Sequence, residues 1–242
     1  MKILNCFFFL ILLHSDLHAQ IPSNAKDIHY TFFYADLLRL SNNAADALKA
    51  INKGVEKYPQ VDSFYSLRGK IYIELGSFKD ALSDFSKAIY YSKFAKANFY
   101  ADRGYAKSAT KDVEGGMSDF KTAINLDPNC YLAFMLRGGV KVNLEDYRGA
   151  IGDLNQAIRI NPKDGITYAA RGDCKFNLNN FKEAILDCNK SIDLEPEYSR
   201  AFYIRGLCYN KLGNIELACS DLSKAGELGY ARAYDAIKAY CN

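Results

Sequence analysis

Histidine is scarce in this sequence: there are three in 242 residues, and His14 and His18 both lie within the first 19. Catalysis by a Ser–His–Asp set or a Cys–His pair needs a histidine beside a nucleophile, and only His29 would remain for that role. The sequence also has no CxxC pair and no glycine-rich phosphate loop of the usual form. We therefore expect no enzyme, no catalytic residues, no metal site and no cofactor, with His29 on the surface of the first helix.

A strong charge of one sign is also missing. Lys and Arg number 31 against 28 Asp and Glu, which gives a net charge of +3 at pH 7. No block of basic residues stands out, and recognition of nucleic acid needs clustered Lys and Arg. The composition therefore predicts no nucleic-acid partner, and we also expect no small-molecule substrate.

Residues 1–19 have the features of a secretory signal peptide. Lys2 is followed by a short apolar run from Ile3 to Leu13 and by a polar stretch that ends at Ala19. The run is too short to span a bilayer comfortably, so we expect no stable membrane span after cleavage, although an uncleaved anchor is the alternative. The chain is expected to be exported, to the periplasm or as a secreted protein, with residues 20–27 as a short linker.

A period of 34 or 35 residues organises the rest of the chain. Three positions in each period always carry a small residue, for example Gly138, Ala150 and Ala157 in the fourth unit. Bulky residues stand four or five positions before the first of these and four positions after the second. Spacings of three, four and seven are helical, and small residues let two helices approach closely. The pattern predicts six pairs of antiparallel helices over residues 28–230 and a capping helix over residues 231–242.

The fourth unit carries a residue pattern that resembles the tetratricopeptide repeat family, namely Phe134, Gly138, Tyr147, Ala150, Leu154, Ala157 and Pro162. The resemblance covers nearly the whole chain after the signal peptide. It implies an all-α fold, a right-handed α-solenoid of six helix-turn-helix repeats with a C-terminal capping helix. It also implies a non-catalytic scaffold that binds a protein or peptide in its concave groove. The alternative is a structural subunit of a cell-envelope assembly that contacts its partners through the convex face or the cap.

The resemblance also indicates which residues line the groove, because the first helices of such repeats form its inner face. This mixture of aromatic, amide and isolated charged residues fits an extended peptide or a partner helix. For each residue, the alternative is that it only covers a neighbouring helix. By register the candidates are Phe32, Asp36, Arg39, Lys70, Ile73, Glu74, Asn98, Tyr105, Ser108, Met135, Val142, Asn143, Asp173, Phe176, Asn177, Tyr203, Asn210 and Lys211.

Five arginines recur in the same register, each with an aspartate sixteen residues later. The first unit lacks both members, with Tyr34 and Ala50 in their places. Helices in contact at the small positions would bring the two side chains within reach, and Asp153 could also touch Arg171 of the next unit. We interpret the pairs as structural ion pairs, and the alternative is an anion-binding stripe. The pairs are Arg68–Asp84, Arg103–Asp119, Arg137–Asp153, Arg171–Asp187 and Arg205–Asp221.

Six cysteines follow residue 19, an even number that is compatible with an oxidising compartment. Cys219 and Cys241 flank the turn between the last two helices at similar levels. They are therefore expected to form a disulfide, with two free thiols as the alternative. Cys174, Cys188 and Cys208 occupy core positions and are expected to be buried thiols.

Overall fold

A computed structural model of the chain describes residues 23–241, and the expected signal peptide lies outside this range. The described residues form thirteen helices and no strand, which confirms the all-α prediction. The helices are α1 (Ser23–Leu40), α2 (Ala44–Lys57), α3 (Asp62–Glu74), α4 (Phe78–Tyr91), α5 (Ala97–Ala109), α6 (Val113–Leu126), α7 (Tyr131–Asn143), α8 (Tyr147–Ile160), α9 (Gly165–Asn177), α10 (Phe181–Leu194), α11 (Ser199–Lys211), α12 (Ile215–Glu227) and α13 (Arg232–Tyr240).

Consecutive helices pack in pairs, from α1 with α2 to α11 with α12, so each predicted unit is a helix-turn-helix repeat. Close contact between the two helices of a repeat explains the small residues of the period. A Cβ atom added to Gly104 would lie 2.9 Å from the backbone oxygen of Gly116, and one added to Gly138 would lie 3.1 Å from Leu154. The last helix, α13, packs on α12.

The chain divides into two compact units, one ending at Phe94 and the other beginning at Ala95. In the first unit, α1–α3 enclose one core that includes Ile51, Phe64 and Ile71, and α4 packs on α3. In the second, α5–α13 enclose a series of smaller cores between neighbouring helices, such as the one around Leu154 and Cys174.

The turn inside each repeat contains one residue with positive φ, a backbone conformation that ends a helix in the left-handed region. Glycine fills this position at Gly76 and Gly213, whereas Lys111 and Glu145 adopt it at φ 73° and 60°. Several second helices then begin with a side-chain cap. In α8, for example, the Asp146 carboxylate accepts a hydrogen bond of 2.9 Å from the backbone N–H of Gly149.

The N-terminal boundary differs from the prediction. Residues 20–27 were expected to be a linker, but α1 begins at Ser23, so residues 23–27 are helical. Contacts thirty residues away explain the extension, since the Asp27 carboxylate accepts hydrogen bonds from Lys57 Nζ at 2.5 Å and from the Tyr58 hydroxyl at 2.6 Å. Across the described residues, no helix combines the length and apolar character needed to cross a membrane.

Candidate partner-binding face

The arginine and aspartate side chains of each repeat meet as two-pronged ion pairs. In the fourth repeat, Arg137 donates from Nε and Nη2 to the two oxygens of Asp153, at 2.9 and 2.6 Å. The same arrangement joins the other four pairs, and all five aspartates are buried. The hydrogen bonds to Asp187 hold the pKa of the Arg171 guanidinium above its ordinary value despite its partial burial.

Lysines in the three central repeats add a third group to these pairs. Lys107, Lys141 and Lys175 each lie four residues after the arginine, and their ammonium groups lie 2.7–2.9 Å from the same aspartates. At Asp119, burial favours a higher pKa, but the bonds from Arg103 and Lys107 outweigh it and lower the pKa below its ordinary value. These lysines were not predicted, although they recur at a regular spacing in the sequence.

The link between repeats differs from the expected contact of Asp153 with Arg171. Arg171 instead donates from Nη1 to Asn155, at 2.7 Å, while Asp153 is held by Arg137 and Lys141. Arg68 and Arg205 contact Asn52 and Asn189 in the same way. Asp153 and Asp187 are each already bound by an arginine and a lysine of their own repeat, and the asparagine two residues later contacts the arginine of the next repeat. The donors of these arginines therefore point at protein acceptors.

The first helices form a continuous layer within each unit. In the first unit α1 contacts α3, and in the second α5, α7, α9 and α11 contact one another in sequence. Second helices pack behind them against first helices. The predicted groove residues all lie on this first-helix face, and each of them is half-buried or exposed.

In the first unit, the predicted charges on this face bind one another. Arg39 donates from Nε to Asp36 at 2.8 Å and from Nη1 to Glu74 at 2.7 Å. These bonds connect α1 to α3. The Phe32 side chain packs against the core of this unit, so Phe32 and Arg39 both support the neighbouring helix.

In the second unit, the first-helix face contains a recess of about 300 Å³. It brings together residues of α5, α7, α9 and α11, including five of the predicted groove residues. They are Tyr105, Met135, Val142, Asn143 and Asp173. Val142, Leu136 and Ala170 add apolar surface to the lining. We call this feature the α7 recess.

Gly139 opens the α7 recess. It occupies the position in its repeat that carries Lys70, Tyr105 and Asp173 in three other repeats. No atom outside its own helix backbone lies within 4 Å of the place where a Cβ would stand. A side chain at this position would therefore project into the recess, and its absence leaves space for a group from another molecule.

An ion pair forms the polar end of the α7 recess. Arg200, in the first turn of α11, binds the Asp173 carboxylate, and its side chain remains 43% exposed. Asn177 donates from Nδ2 to the backbone oxygen of Asp173 at 2.8 Å. Burial alone would lower the pKa of Arg200, but the interaction with Asp173 raises it. Arg200 was not among the predicted groove residues, although it shares its repeat position with Asn98, which was.

Two predicted aromatic residues pack against nearby rings. Phe176 lies against Phe181 of the same repeat, with ring centroids 5.6 Å apart, and Tyr203 lies 4.7 Å from Tyr230 in the turn before α13. Asn98 accepts a hydrogen bond from the Cys130 thiol, at 3.3 Å. The structure therefore gives these three residues contacts within the chain and does not place them in the lining of the α7 recess.

The remaining cysteines and polar clusters stabilise the fold. Cys219 and Cys241 form a disulfide with 5.6 Å between their Cα atoms, which ties the end of α13 to α12. The four other described cysteines are buried thiols, and burial raises the pKa of Cys174 and Cys208 to about 12. Between α7 and α9, the Tyr131 hydroxyl binds both Asp164 and Thr167, a network that the sequence did not predict.

Over the described part of the chain, no group of three or more His, Cys, Asp or Glu residues is placed to hold a metal ion. His29 lies exposed on α1.

Comparison with known proteins indicates tetratricopeptide repeats. Two family models with this description match residues 35–99 and residues 167–198 and 199–228. The fold is similar to a chain of the APC/C hetero-tetramer Cut9–Hcn1, with a TM-score of 0.81 and 18% identity, over 96% of this chain and 46% of that one. This chain thus spans less than half the length of that protein. No protein of curated function matches the sequence.

Two further structures resemble the chain over most of their own length. A tetratricopeptide repeat protein from Parabacteroides merdae has a TM-score of 0.70 and 18% identity, over 93% of this chain and 88% of that one. YrrB, described as a tetratricopeptide repeat protein with an unusual peptide-binding site, has a TM-score of 0.56 and 23% identity, over 79% and 99%. At these identities the likeness concerns the fold.

Proposed function

Because the chain belongs to the tetratricopeptide-repeat family, we propose that it is an exported, non-catalytic scaffold that binds a protein or peptide on its first-helix face. Tetratricopeptide repeats provide scaffolds for protein–protein interaction, and YrrB is described as having a peptide-binding site. The observation that carries the proposal is the α7 recess, which opens on this face at a position where other repeats have a side chain.

The lining of the recess suits a polypeptide segment with an apolar anchor. Met135, Val142 and Leu136 offer apolar surface, and a space of about 300 Å³ has the size of a small ligand pocket. Asn143 is exposed beside it and can bond to backbone amides of an extended chain. The exposed part of Arg200 can donate to a carbonyl or carboxylate oxygen of the partner.

Two features support export. The first is the leader-like sequence of residues 1–19, and the second is the Cys219–Cys241 disulfide, since such bonds persist mainly in oxidising compartments. We propose that the mature chain begins at Gln20 and is periplasmic or secreted. Intact-mass measurement on the protein recovered from outside the cytoplasm tests this. A mass that still includes residues 1–19 would contradict cleavage.

Matched glycine substitutions test the binding site. Gly139 and Gly152 both lie inside helices, and neither has an atom within 4 Å of an added Cβ. Gly139 faces the recess, whereas Gly152 is exposed on the second helix α8. Peptides selected against the purified protein from a displayed library should bind Gly139→Leu at least about tenfold more weakly, since filling the recess removes the anchor site.

The same peptides should bind Gly152→Leu with unchanged affinity. Circular dichroism should show both variants folded, because leucine has a higher helix propensity than glycine. Equal binding to both variants would contradict a site in the α7 recess. Loss of binding in Gly152→Leu alone would favour the alternative function, in which contacts form through the outer face.

A further inference from the structure

The link between the third and fourth repeats lacks a hydrogen bond that joins the later repeats. Arg171 and Arg205 each donate from Nη1 to an asparagine of the preceding repeat, at 2.7 and 2.6 Å. Arg137 stands in the same register, but the corresponding residue before it is Lys121, in α6. A lysine ammonium has no acceptor, so it cannot take this bond from the guanidinium. This link therefore has two cations where the later links have an arginine and its acceptor.

The Arg137 guanidinium is held in one orientation. Nε and Nη2 donate to the two oxygens of Asp153, and the group lies over the Phe134 ring, 5.7 Å from its centroid. Arg171 and Arg205 have the same two-pronged pairing and the same aromatic contact. Nη1 of Arg137 is therefore directed toward the preceding repeat, as it is in those two arginines. Within the described part of the chain no acceptor bonds to this Nη1, and the side chain is 23% exposed.

The Lys121 ammonium is also available to another molecule. Its side chain is exposed, and among the described residues it takes part in no ion pair or hydrogen bond. A lysine on a helix often pairs with a carboxylate three or four residues away. On α6 these positions carry Met117, Ser118, Ile124 and Asn125, and none of them is acidic.

The charges at this link do not cancel. Lys141 Nζ lies 2.8 Å from Asp153, so Lys121, Arg137 and Lys141 contribute three positive charges against one negative charge, which leaves +2. A phosphate group carries about −1.5 to −2 charges at pH 7 and has several strong acceptor oxygens. Arginine and lysine donors bind such oxygens with short, strong hydrogen bonds. A phosphate group therefore matches both the charge and the unused donors, whereas one carboxylate would neutralise only half of the charge.

The cations lie away from the α7 recess. Arg137 and Gly139 are two residues apart on α7, which corresponds to a rotation of about 200° around the helix axis. A ligand held by Arg137 and Lys121 would leave the recess empty. The two sites can therefore be tested separately.

We propose that Lys121, Arg137 and Lys141 bind a phosphate group, either as free inorganic phosphate or as part of a small phosphate ester. Nη1 of Arg137 and the Lys121 ammonium donate to the phosphate oxygens. Lys141 stays on Asp153 and adds to the positive potential. The links at Arg171 and Arg205 have asparagine in place of Lys121, so they bind no phosphate.

Equilibrium dialysis of the purified protein against radiolabelled inorganic phosphate, at constant ionic strength, tests the proposal. Lys121→Asn should raise the dissociation constant at least about tenfold, because it removes one cation and supplies Arg137 with the acceptor that Arg171 has in Asn155. Lys190→Asn is the matched control, since it removes the same charge from an exposed position of α10, and its dissociation constant should equal that of the wild type. Circular dichroism should show both variants folded.

The reverse substitution provides a gain of binding. Asn155→Lys gives the link between the fourth and fifth repeats the same composition, because Arg171 and Lys175 already share Asp187. This variant should bind a second phosphate. Glycerol phosphate as a competitor distinguishes the two sources of the group. Displacement at a concentration equal to or below that of unlabelled phosphate indicates an ester as the ligand, and displacement only at higher concentration indicates the free ion.

Four results would overturn the proposal. The wild type could fail to bind phosphate, Lys121→Asn could bind it as tightly as the wild type, or Asn155→Lys could gain no second site. A tetraglutamate peptide could also displace phosphate and bind more tightly, in which case the cations recognise carboxylates of a polypeptide. Gly139→Leu should leave phosphate binding unchanged, which separates this proposal from the one for the α7 recess.

Discussion

Removal of the Asp153 carboxylate should destabilise the protein strongly. Asp153 is 5% exposed, accepts two bonds from Arg137 and lies 2.8 Å from Lys141 Nζ. Asp153→Ala would leave two partly buried cations without their carboxylate, and loss of one partner of a buried ion pair costs about 3–5 kcal/mol. Because Arg137 and Lys141 are 23% and 21% exposed, water screens part of this cost, and we expect about 3 kcal/mol.

Thermal and urea unfolding measure this effect. In a domain of this size, about 3 kcal/mol lowers Tm by roughly 6–12 °C. Asp153→Asn keeps the shape of the side chain and one acceptor oxygen, so it should lower the free energy of unfolding less than Asp153→Ala does. Asp193 is an exposed residue in the last turn of α10, so Asp193→Ala is the control variant, and its Tm should equal that of the wild type. If Asp153→Ala and Asp193→Ala unfolded at the same temperature, the interpretation of the arginine–aspartate pairs as structural ion pairs would be refuted.

Three other predictions concern backbone contacts, thiols and acid. Gly139→Ala should stabilise the protein by about 0.5–1 kcal/mol in urea unfolding, whereas Gly116→Ala should destabilise it, because its Cβ would lie 2.6 Å from the Gly104 backbone oxygen. In a chain that begins at Gln20, a thiol reagent should label no cysteine when the protein is folded, four when it is unfolded and six when it is unfolded and reduced. Labelling of the folded protein would contradict the burial of the four free thiols. The pKa of the Asp119 carboxyl is lower in the folded protein than in the unfolded chain, so its ionised form stabilises the fold above about pH 4. This stability is lost as the pH falls through the pKa of the folded state. The free energy of unfolding in urea should therefore fall less steeply with decreasing pH in Asp119→Asn than in the wild type.

The helix pairs and ion pairs were predictable because both follow from one geometric rule. In an antiparallel pair, a close contact such as that of Gly138 with Ala150 fixes which levels of the two helices meet. A spacing of sixteen residues then brings Arg137 to Asp153. The rule does not determine which polar side chain of the preceding repeat reaches each arginine. For that reason Asn155 was missed as the partner of Arg171.

The boundary of α1 and the α7 recess depend on features that the repeat pattern does not contain. Residues 23–27 are helical because Asp27 binds Lys57 and Tyr58, a contact between residues thirty positions apart. The recess exists because Gly139 lacks a side chain. The prediction selected side chains that could bind a partner, and a glycine is not selected in this way. Arg200 was missed because its repeat position carries no regular residue type, with Asn98, Leu132 and Ile166 in the three repeats before it.

The measurement that most directly tests the account is photo-cross-linking in the cells that make the protein. A benzophenone side chain placed at position 139 would project into the α7 recess, and one at position 152 would project from the outer helix α8. We predict that position 139 forms an adduct with a polypeptide and that position 152 does not. Absence of a polypeptide adduct at position 139, or equal adducts at both positions, would contradict a polypeptide-binding role for the first-helix face.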